Sequence, residues 1–131
     1  MYAMIAKPNG TFSEVVEKAT AALAEEGFGI LTTIDVKETL KKKLDLEKNP
    51  YVILGACNPK LANRAMDAEP DIGVMLPCNV IVREEDSGKV IVSIMNPKAA
   101  MQMTDNDEVA KVANEAWEKL ERIQKVLNDN A

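Results

Sequence analysis

Histidine is absent from the chain's 131 positions, which removes every His-based triad, every His-containing zinc site and the commonest general base near neutral pH. Cysteine occurs only at Cys57 and Cys78. Without other Cys or His these thiols cannot complete a structural zinc site, and they stand too far apart for a Cys-x-x-Cys redox unit. Basic residues are outnumbered, 16 Lys and Arg against 21 Asp and Glu, and the resulting net charge of -5 is dispersed along the chain. That excludes the basic face a nucleic-acid partner needs. No apolar run approaches a membrane span, and the opening Met1-Tyr2-Ala3-Met4-Ile5-Ala6-Lys7 lacks the length and basic lead of a signal peptide. The expected compartment is therefore the cytoplasm, where a disulfide is disfavoured. Nucleotide-binding glycine loops and a Gly-x-Ser-x-Gly elbow are missing too.

What is present is a folded composition, 47% hydrophobic and 28% charged with six Gly and six Pro, in a chain of ordinary single-domain size. Tyr2 to Lys7 reads as a strand ended by Pro8-Asn9-Gly10. Thr11 and Glu14 have capping-box spacing ahead of an amphipathic helix whose apolar residues include Val15, Val16, Ala19, Ala22 and Leu23. Gly27 stands where a left-handed helix stop belongs, and Phe28 to Val36 is rich in β-branched residues. Asp35 and Glu38 open a short Lys-rich helix. Its Lys41-Lys42-Lys43 run, flanked by Glu38, Asp45 and Glu47, reads as a solvated helix end rather than a phosphate-binding patch.

Tyr51 to Ala56 is almost wholly apolar, as a strand deep in a sheet would be. Asn58 is placed to cap the next helix, with Pro59 at its first position and Pro70 beyond its end. Leu76 to Glu84 and Lys89 to Asn96 flank the turn signal Glu85-Asp86-Ser87-Gly88, which predicts a hairpin. Asn96-Pro97 starts a single helical turn. A long final helix then begins near Thr104 or Asp105, with an apolar stripe from Val109 to Leu127 and a reach of about 35 Å. That helix is expected to cover one face of the sheet; Trp117 and Val126, off the centre of its stripe, keep open the alternative that it also pairs with a partner subunit. The expected fold is a single α+β domain over residues 1–131 in the order β-α-β-α-β-α-β-β-α. Its helices pack on one face of a mixed curved sheet, with a C-terminal hairpin and the long helix last.

Two segments combine reactive side chains with backbone punctuation, Gly55-Ala56-Cys57-Asn58-Pro59 and Leu76-Pro77-Cys78-Asn79. Cys57 precedes a helix start, where unpaired N–H groups and the dipole favour a thiolate; the alternative is a small buried hydrophobe. If the strands bearing the two thiols run parallel, the thiols lie at opposite edges of the sheet; if antiparallel, they meet. Both remain open from the sequence. Met95, Met101 and Met103 offer soft thioether ligands for Cu(I) but are expected as core fillers, and Asp67, Glu69 and Asp71 as solvated loop acids. No metal, cofactor or complete catalytic motif is expected.

The paired Gly-Ala-Cys-Asn-Pro and Leu-Pro-Cys-Asn-Val segments, joined by Ala62, Ala65, Pro70 and Gly73 and followed by Asn96-Pro97, resemble the DUF302 family of uncharacterised bacterial and archaeal proteins. The resemblance implies a small α+β domain with helices on one curved sheet, a dimer, and no assigned reaction. It also implies that Cys57, Asn58, Pro59, Pro77, Cys78 and Asn79 belong to a family signature.

The leading expectation is a domain that binds a small ligand or partner through Cys57, Asn58, Cys78 and Asn79. The alternatives are a thiol-dependent enzyme or redox sensor using Cys57, and a structural homodimer with no ligand.

Overall fold

The computed structural model describes residues 1–129, and at Ala100 and Met101 the backbone alone. The elements are β1 (Ala3–Ala6), α1 (Phe12–Glu25), β2 (Gly29–Asp35), α2 (Val36–Leu44), β3 (Tyr51–Cys57) and α3 (Pro59–Ala68). A 3-10 turn (Pro70–Met75), β4 (Cys78–Glu84), β5 (Val90–Met95), α4 (Pro97–Met101) and α5 (Asp107–Asp129) complete the chain.

Local chemistry sets the helix ends. Thr11 accepts from the Glu14 amide while the Glu14 carboxylate accepts from the Thr11 amide, a full capping box at the start of α1. Gly27, at φ +84, turns the chain out of that helix at no Cβ cost. In α2, Lys41 pairs with Asp45 and Glu47 at 2.8 Å each, and Lys42 pairs with Glu38 at 2.8 Å. Donating to these carboxylates raises the pKa of both lysines, so much of the basic run is matched by local acids. The final helix begins at Asp107 because Asn106, not Thr104 or Asp105, accepts from the amides of Glu108 and Val109.

The strands form one five-stranded sheet in the order β1-β5-β4-β3-β2. Every neighbouring pair is antiparallel, so the sheet is antiparallel throughout rather than mixed. The connections explain this. The one between β3 and β4 leaves through α3 and doubles back through the 3-10 turn, re-entering the sheet at the end it left. β4 takes the central place, and β3 lies between it and β2.

One face of the sheet carries the core. Val52, Leu54 and Ala56 of β3, Val80 and Val82 of β4, and Val92 and Ile94 of β5 are buried against Val15, Ala19 and Leu23 of α1 and the α5 stripe of Leu120, Ile123 and Leu127. Side-chain alternation sends the other set to the opposite face. There the register aligns Ile5, Ser93, Ile81, Ile53 and Ile34 across all five strands. None of them is buried, and Ile34 on the edge strand is 47% exposed.

Candidate functional site

The antiparallel β3–β4 ladder settles where the two cysteine segments lie. Ala56 is the cross-strand partner of Cys78, so Cys57, where β3 ends, adjoins Cys78, where β4 begins. Both are free thiols, partly buried, and both border one cavity of about 80 Å³. Its walls are apolar: Phe28, Leu61 and Ala65 of α3, Ile72 of the 3-10 turn, and Val109, Val112 and Ala113 of α5. Met75 and Met95 also border it, as does Asn58.

The electrostatics of the cavity are those of an apolar pocket. Burial, and secondarily the neighbouring Cys57, push the Cys78 thiol up to about 11, so it is a protonated, weakly polar group at neutral pH. Cys78 shares the parity of Val80 and Val82 and so faces the helical layer.

Asn58 is placed as the sequence suggests, but its side chain is already engaged. Its Oδ1 accepts from the Leu61 amide at 3.4 Å as the cap of α3, and its Nδ2 donates to the Glu26 carbonyl at 3.3 Å. It therefore positions the start of α3 beside the end of α1. Asn79 is not brought to the cavity. One residue after Cys78, it points to the opposite face and borders a broad concavity of about 690 Å³ with Tyr51, Arg83, Ser93 and Asn96. Met75 and Met95 border both spaces and so stand between the small cavity and the open face of the sheet.

Met75 was not indicated by the sequence, where it reads as one more apolar residue before Leu76-Pro77. Of the methionines that were, Met95 is at the cavity, Met103 is exposed on the concave face, and the Met101 side chain lies outside the described residues. Among the described residues no group of three or more cysteines and carboxylates is placed to hold a metal ion. Of the loop acids, Glu69 accepts from the Thr104 hydroxyl at 2.5 Å. Trp117 is half-buried against the core, with the Lys98 ammonium 3.7 Å from its ring centroid, so its offset from the α5 stripe is accounted for within the chain. No helix among the described residues is long and apolar enough to cross a membrane.

Residues 5–127 match the family described as a domain of unknown function, DUF302. Among solved structures, the chain is similar to the crystal structure of an uncharacterised conserved DUF302 protein from Bacillus stearothermophilus. The identity is 26%, the match covers 97% of this chain and 98% of that one, and the TM-score is 0.88. Comparison with curated proteins finds no match.

Proposed function

Since the chain belongs to the DUF302 family, whose description assigns no activity, we propose from the cavity itself that this is a small-ligand-binding domain. The carrying observation is that Cys57 and Cys78 border one small, apolar-walled space next to a concave sheet face. At about 80 Å³ it is about half the ~150 Å³ of an apolar cavity that takes up benzene. The fitting ligand is thus small and soft, or is the apolar end of a larger molecule resting on the open face. Asn58 acts through α3 by holding the wall in place, and Asn79 meets the part of a ligand left outside. The reading supposes a reducing compartment such as the cytoplasm, in which both thiols stay free.

The test is a melting series against xenon and short-chain thiols, repeated on Ala113→Leu, which fills the cavity from α5. Binding at about 100-fold over Kd stabilises by about 2.7 kcal/mol. The expected result is a shift in the wild type that is lost in the variant. A shift of equal size in both chains would place binding elsewhere.

The open face favours a second reading, a homodimer. Ile5, Ile81, Ile53 and Ile34 form an apolar row across the sheet, and a two-fold axis through such a face would pair it with itself. Sedimentation equilibrium on wild type, Ile53→Lys and Ile81→Lys decides it. The dimer reading expects association in the first and monomers in the other two. A wild type that is monomeric at every accessible concentration sinks it.

A further inference from the structure

Sulfur is the recurring heteroatom of the cavity. Two thiols, Cys57 and Cys78, and two thioethers, Met75 and Met95, border it, and no carboxylate does. Cys57 follows Ala56, the cross-strand partner of Cys78, and both cysteines border the cavity. The thioethers arrive independently, Met75 from the end of the 3-10 turn and Met95 from the end of β5. Four soft donors from four separate places in the chain thus border one space. Hard cations select oxygen ligands and zinc sites use nitrogen, oxygen and thiolate; thioether beside thiolate is the donor set that selects Cu(I).

We propose that the cavity is a binding site for a soft d10 cation, Cu(I), held by the sulfurs of Cys57 and Cys78 and completed by Met75 and Met95. The inference rests on the ligand-binding reading above and names the ligand. Binding forms two Cu–S bonds to the cysteines and breaks their two S–H bonds. Both protons leave to solvent and copper keeps its oxidation state, so no oxidant or reductant is consumed. A high thiol pKa does not prevent this, because a coordinating thiol is deprotonated by the metal; it makes the affinity rise with pH. Met75 and Met95, between the cavity and the open face, stand where the ion enters.

The test is an anaerobic titration of the reduced full-length chain with Cu(I) in competition with a chromogenic Cu(I) chelator. Thiolate-to-metal absorption, proton release and stoichiometry are read together. The expected result is one Cu(I) per chain with two protons released. Cys57→Ser and Cys78→Ser should abolish the charge-transfer absorption. Met75→Leu and Met95→Leu, near-isosteric and expected to fold, should weaken binding about 10–100-fold, the range for losing a supporting group at a metal site.

Binding that survives in the Cys57→Ser, Cys78→Ser double variant, or that both Met→Leu variants leave unchanged, overturns the proposal. So does failure to compete with the chelator at all. If xenon still shifts melting when Cu(I) does not bind, the copper proposal fails alone and the ligand-binding reading stands. If neither class binds, both fall. Cu(I) binding lost in the Cys variants, with no response to the neutral probes, supports copper as the ligand.

Discussion

Gly55 on β3 lies directly across from Thr32 on β2, with no room between them for a side chain at position 55. A Cβ there would overlap the Thr32 hydroxyl oxygen and come within 3.0 Å of the Pro77 ring. The position is held between the edge strand on one side and the entry to β4 on the other. The glycine is there for its missing Cβ, since its φ is not in the left-handed region.

Gly55→Ala is therefore expected to destabilise the fold by about 1–3 kcal/mol, the range for overpacking a filled site. Equilibrium urea unfolding measures it. Thr32→Ala in the same chain removes the overlapping oxygen and should recover part of the loss, while the Pro77 contact retains the remainder. Equal destabilisation with and without Thr32 would show that the Pro77 side sets the constraint.

Asn58 offers a test with two separable halves. Asn58→Ala loses both the cap of α3 and the donation to the Glu26 carbonyl, and should cost about 1–2 kcal/mol. Asn58→Asp keeps an acceptor for the Leu61 amide and adds negative charge at the positive helix end, but cannot donate to Glu26. It should retain most of the stability. If the two substitutions cost the same, the bridge between α1 and α3 outweighs the cap.

Cys78 predicts a pH dependence whose sign is fixed by its raised pKa. The folded thiol titrates at about 11 against an ordinary 9.0, so in the interval between them the unfolded chain holds fewer protons than the folded one. Stability is then full below about pH 9 and falls as pH rises toward 11. Cys78→Val should flatten that slope in denaturation curves collected across the interval. Alkylation supplies a second measure: at pH 8 a thiol of this pKa is ~0.1% ionised, so modification of Cys78 in the folded chain should be slow and accelerate about tenfold per pH unit.

Much of the fold can be read along the chain, and the reason differs by element. The capping box of Thr11 and Glu14, the helix stop at Gly27, the Asn58-Pro59 helix start and the Glu85 to Gly88 turn depend on atoms a few residues apart, so local spacing determines them. The meeting of Cys57 and Cys78 is a long-range matter. It turns on the direction of β4 relative to β3, which the 3-10 turn decides and no local pattern announces. Asn79 and Cys78 border different spaces for a simpler reason, since successive strand residues face opposite ways. Asn106 does not stand out as the cap of α5 in the sequence, because Thr104 and Asp105, also capping residues, precede it. In the structure the Thr104 hydroxyl donates to Glu69, and Asn106 takes the helix start.

Asn106 does one thing more. Its Nδ2 donates to the Ala68 carbonyl at 2.9 Å, at the C-terminal end of α3, whose N-terminal end is tied to Glu26 by Asn58. The helix that walls the cavity is fastened at both ends by an asparagine amide. If the cavity takes up a guest, as proposed, its exchange is expected to proceed by rotamer changes of Met75 and Met95 rather than by a swing of α3. Its rate should track the stiffness of those two side chains, leaving amide hydrogen exchange along α3 as slow in the presence of a guest as in its absence.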